Sequence, residues 1–282
     1  MKDNAGSHSI KVMARVLGVS RSGFHAWKNR SVTSPRGARK ACTDTLVADA
    51  YRKHRGRYGA PRLVHALAKD GVHLNRKTVA RSLSRNGLRA KAAKKFKVTT
   101  QSGHGRPVAD NLLQRNFTVR RPNRTYVGDI TYIWTDEGWM YLAVFIDLFS
   151  RTVVGWALSE RMTADLVCDA FAAAMKRRGN PKGVIVHTDR GIQYCSREFQ
   201  DLLTRHRCRS SMSRKGDCWD NAVAESFFHS LKVESIHGVR FETRDQLKES
   251  VFEYIEVFYN RQRLHSSLGY LSPADFEARK VA

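Results

Sequence analysis

Asp129, Asp189 and Glu225 are the residues whose surroundings in the sequence best suit joint chemistry. Asp129 follows Tyr126, Val127 and Gly128 and precedes Ile130, neighbours that suit a buried strand, where an ionised carboxylate is expensive without a partner. Asp189 ends an apolar run over 184–188 and precedes Arg190 and Gly191. Its carboxylate should emerge at a carboxyl-terminal strand end, a common position for ligand sites in sheets with helical crossovers. Glu225 falls on a helix that follows a turn over 216–219. If the two aspartate strands are adjacent, their carboxylates converge and Glu225 is a plausible third ligand. Magnesium suits so sparse a set, since it keeps water and phosphate oxygens as ligands. Two such ions could activate an attacking oxygen and stabilise a leaving one in phosphoryl displacement. Lys232, seven residues after Glu225, projects from nearly the same helix face, where a DNA phosphate would approach; a solvated lysine is the alternative.

A single acid would be weak support, because most are surface residues or caps. Asp136, Asp217 and Asp220 suit turn and cap roles; Asp147, inside an expected strand, ranks fourth. Cys42, Cys168, Cys195, Cys208 and Cys218 contain no C-x-x-C pair, so neither a disulfide framework nor a zinc site is indicated.

These side chains need a scaffold. Three β-rich segments over 125–134, 139–149 and 152–159 are separated by turns, and a helix over about 163–178 follows. Next come a strand over 183–187, a helix over 196–206, a weak strand over 208–213 and helices near 220–236 and 244–260, then a short helix after Pro273. That order implies a five-stranded mixed sheet with flanking helices, a ribonuclease H-like α/β core.

The first part of the chain reads as all-α. Ile10, Met13, Val16 and Leu17 recur at helical spacing, Gly18 breaks the run, and Ser20 caps a second helix carrying Phe24 and Trp27 inward. Ser20 and Arg21 then stand at the end that a helix-turn-helix presents to a major groove. A second such outline comprises a helix over about 43–54, another through Arg62 to Leu67, and a third opened by Asn75. This last helix buries Val79 and Leu83 and leaves Arg76, Lys77, Arg81 and Arg85 outward. The boundaries expected are 1–40 and 41–90 for the two DNA-binding modules, 91–118 for a basic linker, 119–240 for the catalytic core and 241–282 for a helical extension of it.

Charge agrees with that division. The net charge of the 282 residues is +24, and +20 of it lies in residues 1–110. A polyanionic partner is implied, nucleic acid above all. No apolar stretch is long enough to span a bilayer, and the expected location is the cytoplasm, at the nucleoid.

The segments GDITYI, HTDRGIQY and WDNAVAESFFHSLK, with LGVSRSGFHAW, YGAPRLVHAL, NRKTVARSL and YNRQRLHSSLGYLSP, resemble the bacterial insertion-sequence transposases of the insertion-sequence-three family, over nearly the whole chain. The 35 residues between Asp189 and Glu225 match the spacing of that family and of the retroviral integrases it is similar to, and Lys232 matches its basic residue after the glutamate. Thr188 stands where the family usually has serine, keeping the hydroxyl. The resemblance implies catalysis by Asp129, Asp189 and Glu225 with Mg2+ (Mn2+ able to substitute), binding of terminal inverted repeats, and water or a DNA 3′-hydroxyl as successive nucleophile. It further implies a homo-oligomer on double-stranded DNA and an upstream-frame partner or fusion, this chain being the second-frame product. A noncatalytic DNA-binding regulator and a nuclease on the same fold are the alternatives. The intact trio argues against the first and the tandem DNA-binding outlines against the second.

Overall fold

The acidic residues sit on a mixed sheet in the order β3-β2-β1-β4-β5. In the computed structural model, which describes residues 1–29, 34–91, 107–114, 116–214 and 221–281, β1 spans Thr125–Thr135, β2 Gly138–Asp147, β3 Val153–Ser159, β4 Ile185–Thr188 and β5 Arg209–Met212. The chain divides into two compact units, Met1–Ala90 and Lys91–Ala282.

In the second unit β1, β2 and β3 form an antiparallel meander, and β4 and β5 continue the sheet in parallel beside β1. This is the five-stranded ribonuclease H-like arrangement expected from the order of elements. Central β2 reads apolar almost throughout, from Leu142 to Ile146, because both faces are covered. Ala143 and Phe145 pack with α6 (Ala164–Arg177) and α7 (Arg197–Arg205) through Leu166, Phe171 and Phe199. Gly155 of β3 lets α6 approach closely: a β-carbon there would collide with the Ala170 carbonyl and the Ala174 backbone. Gly155→Ala therefore forces helix and strand apart.

α8 (Ala222–Leu231) packs on β1. It passes directly into a π-helical turn over Lys232–Ile236, closed by the His237 N–H donating to the Lys232 carbonyl at 2.7 Å. α9 (Arg244–Phe252) likewise runs into a π-helical turn, Glu253–Tyr259. The Asn260 side chain then pairs with the Val153 backbone in both directions, at 2.9 and 3.0 Å, satisfying the edge of β3. α10 (Pro273–Val281) is tied to α6 by Arg178–Glu277 at 2.7 Å. The segment read as a linker is in part anchored: Leu113 is buried, and the Leu112 N–H donates to Ser211 Oγ at 2.9 Å. Residues 92–106 and 115 of it lie outside the described residues.

The first unit holds α1 (Ile10–Val16), α2 (Arg21–Lys28), α3 (Pro35–Lys53), α4 (Ala60–Lys69) and α5 (Arg76–Arg85). Its core is Val47, Tyr58, Leu63, Leu67 and Val79. α3 starts well before the expected position near 43, because Ser34 caps it and Pro35 fits the first helical turn, and it runs across the 40/41 boundary. Ser20 and Asn75 cap α2 and α5 as expected, accepting from the Gly23 and Thr78 amides. Trp27 corrects the reading of α2: Phe24 is buried but Trp27 is 55% exposed, stacked on Phe24, and Val16 and Leu17 are also exposed. Two helices this short bury little between them, here chiefly Ala14 and Phe24.

Candidate active site

Asp129 and Asp189 are brought together by strand register. β1 and β4 run parallel with Thr125 beside Ile185, Tyr126 beside Val186 and Val127 beside His187. The same offset, continued two residues further, sets Asp129 opposite Asp189. β4 ends at Thr188, so Asp189 leaves the sheet at its carboxyl end. Gly128 is required next door, since a β-carbon there would enter the Phe145 ring. The Asp129 carboxylate accepts the Ile130 N–H at 2.8 Å and that of Asp189 accepts the Gly191 N–H at 2.9 Å. Arg190 Nε donates to the Ser213 carbonyl at 2.7 Å and fixes the chain beyond Asp189.

Loss of water pushes the Asp129 carboxyl well above the ordinary carboxylate range, and the charge of Asp189 pushes it further. The Ile130 amide opposes both, Glu225 adds a weaker upward push, and Lys232 pulls down. Glu225 lies in the first turn of α8, where the helix dipole favours a carboxylate, and burial raises its carboxyl. Among the described residues no group of three His, Cys, Asp or Glu side chains is arranged to hold a metal ion. The structure thus joins Asp129 to Asp189, with Glu225 near enough to be felt by Asp129. A pair of hard oxygen donors open to one side suits Mg2+, which completes its shell with water.

Lys232 is not a solvated lysine. It is 9% exposed, its ammonium lies 5.4 Å from the centre of the Tyr132 ring, and burial lowers its pKa while Asp129 opposes the shift. With Tyr132 and Trp134 it lines a groove of about 340 Å³ beside β1. Asp147 has another role: it is fully buried and accepts the Asn123 and Phe149 amides at 2.8 and 2.9 Å. Asp136 pairs with Arg240 at 2.8 Å. Asp217, Asp220, Cys218 and the turn over 216–219 lie outside the described residues.

Of the residues expected on DNA, Ser20, Arg21, Arg76, Lys77 and Arg81 are exposed on α2 and α5 and their caps. Arg85 is a correction. Its Nε donates to Asp44 Oδ2 at 3.0 Å, and Ser82 Oγ donates to the same carboxylate at 2.6 Å. Arg85 therefore ties α5 to α3 instead of reaching outward.

Sequence reasoning gave no role to Tyr194, the last residue of HTDRGIQY. Its hydroxyl is buried, and burial followed by the charges of Asp129 and Asp189 raises its pKa well above the phenol range. A tyrosine closing a polar turn five residues after a candidate ligand was the available signal.

Residues 119–218 match an integrase core domain family, residues 225–281 a second integrase core domain family, and residues 41–96 an HTH-like domain family. The chain is 54% identical over 275 residues to transposase InsF for insertion sequence IS3A of Escherichia coli (strain K12), covering 97% of this chain and 96% of that protein. It is 42% identical over 270 residues to an uncharacterized 31 kDa protein of insertion element IS600 from Shigella sonnei, covering 95% and 98%. Among solved structures, a simian T-cell lymphotropic virus intasome chain aligns with a TM-score of 0.47 at 17% identity, covering 76% of this chain and 70% of that one. The HTLV-2 integrase catalytic core domain in complex with magnesium aligns with 0.42 at 18%, covering 56% and 97%. No helix among the described residues is long and apolar enough to cross a membrane.

Proposed function

The chain belongs to the IS3 family of insertion-sequence transposases, with an integrase core and an HTH-like DNA-binding region, and from that premise we propose that it binds its element's terminal inverted repeats and cuts and joins DNA strands through Asp129, Asp189 and Glu225. The observation that carries this reading is the register that sets two carboxylates opposite one another at the end of β4, where each resists the other's charge. Asp129 and Asp189 would hold Mg2+, or Mn2+ in its place, with Glu225 closing the set from α8; two ions are expected. Such ions supply activation of the attacking oxygen and stabilisation of the leaving one.

The protein's own contribution is positioning and charge. Lys232, held beside Asp129 and over Tyr132, presents an ammonium to a DNA phosphate. Ser20, Arg21, Arg76, Lys77 and Arg81 grip the duplex, while Arg85 acts through Asp44 on the placement of α5. No covalent protein intermediate is needed when water and then a 3′-hydroxyl attack in turn. Two ends must meet, so a homo-oligomer assembles on double-stranded DNA in the cytoplasm, at the nucleoid, with an upstream-frame partner or fusion where one is made.

The lack of a ready three-carboxylate group among the described residues favours, for the chain alone, a second reading as a noncatalytic regulator of transposition. Labelled DNA carrying the element's ends separates the two. With Mg2+ or Mn2+ the parent chain is expected to give cleaved and joined strands, and Asp189→Asn to give none while duplex binding is kept. Joining by Asp189→Asn would remove the aspartate pair from catalysis. Tight binding without products from the parent chain and from its upstream-frame fusion would leave the regulatory reading.

A further inference from the structure

We propose that Tyr194 is the hydrogen-bond donor that holds the Asp129 and Asp189 carboxylates in their cation-binding orientation, directly or through one water. This inference rests on the reading of the aspartate pair as the cation site and assigns a positioning residue to it.

Tyr194 is 1% exposed, and its hydroxyl oxygen is buried without a hydrogen-bond partner among the described residues. Leaving such a group unpaired costs about 1–3 kcal/mol, and a phenylalanine would pack the same ring without that penalty. The ring is fixed in place: it meets Phe199 edge to face at 5.5 Å and Phe145 at 6.4 Å. Phe145 in turn lies against Gly128, the residue before Asp129. The main chain makes the second link. The Tyr194 N–H donates to the Gly191 carbonyl at 3.0 Å, and the Gly191 N–H donates to the Asp189 carboxylate at 2.9 Å. One short turn therefore carries both the Asp189 carboxylate and the hydroxyl, and Asp129 and Asp189 are the two charged groups that act on that hydroxyl.

A neutral phenol offers one proton. Given to a carboxylate oxygen, it fixes which lone pairs the aspartates turn towards a cation, the role that outer hydrogen-bond partners play at metal sites. Replacing such partners typically weakens metal binding by about 10–100-fold.

The test compares the full-length parent chain with Tyr194→Phe and Asp129→Asn, titrating Mn2+ and reading the free ion by electron paramagnetic resonance, with thermal unfolding recorded with and without metal. For Tyr194→Phe the metal-free Tm is expected to stay level or rise, since an unpaired buried hydroxyl is gone, while the Mn2+ dissociation constant rises about 10–100-fold. The Mn2+ concentration for half-maximal strand joining should rise with it, and saturating metal should restore the rate. Asp129→Asn should lose the site. Parent-like Mn2+ affinity in Tyr194→Phe, with binding lost in Asp129→Asn, would overturn the role of Tyr194 and leave the cation site standing. Parent-like affinity in both variants would overturn the cation site and the Tyr194 role together. A clear fall of the metal-free Tm in Tyr194→Phe, with unchanged affinity, would make the hydroxyl purely structural.

Discussion

Asp129 and Asp147 sit on paired strands of one hairpin, three residues apart in register, and the fold treats them in opposite ways. Asp147, opposite Tyr126, is fully buried yet receives two backbone N–H groups, from Asn123 and Phe149. Those bonds oppose the effect of burial on its carboxyl and fasten the start of β1 to the end of β2. Asp129, opposite Val144, receives only its neighbour's amide in the printed geometry and faces a second carboxylate. Burial is common to both. Uncompensated negative charge belongs to Asp129, and it marks a carboxylate kept for a cation and not for the fold.

The largest effect that would sharpen this contrast is the activity of Asp129→Asn. Strand joining should fall by roughly 10³-fold or more, the loss of several kcal/mol of charge stabilisation, while the metal-free Tm holds or rises because a repulsion is removed. Asp147→Asn should reverse the pattern, losing about 1–3 kcal/mol in urea unfolding as backbone donors lose their charged acceptor, with the folded fraction still joining strands. If Asp147→Asn proved the more damaging to joining in the folded protein, the contrast would break.

pH gives the next effect. A carboxyl raised in the folded state contributes stability that is fully present below its ordinary value, 3.8 for Asp129, and is lost as pH rises through the raised one. In metal-free buffer the Tm advantage of Asp129→Asn over the parent should therefore grow as pH rises above about 4, and Mg2+ should shrink it. A flat difference across that range would mean that Asp129 is not strained.

The smallest effects extend the contrast to the helical unit, where Arg85 is satisfied by Asp44 and Arg76, Lys77 and Arg81 are turned to solvent. Alanine at any of the last three should reduce the slope of log affinity against log salt by about one per lost phosphate contact. Arg85→Ala should leave that slope unchanged and lower stability by about 0.2–1 kcal/mol, the range of exposed ion pairs.

The sheet was legible in the sequence because its strands are apolar runs broken by turns such as Asp136, Glu137 and Gly138. The aspartate pair was legible only conditionally: each strand could be read alone, but the 125-to-185 pairing is a long-range contact that local pattern does not encode. The same limit explains Arg85, which looks outward on a helical wheel until α3 brings Asp44 to it. Trp27 failed for the opposite reason, since apolar spacing implies a buried face only where another element covers it. Tyr194 went unread because a tyrosine's hydroxyl gains meaning from what surrounds it, here two carboxylates from two strands.

Crystals of the full chain grown with Mn2+ and measured at the manganese edge would test the central claim most directly. An anomalous peak between the Asp129 and Asp189 carboxylates, absent in Asp129→Asn, is the predicted result. A peak elsewhere, with those two carboxylates bonded only to protein groups, would contradict the account.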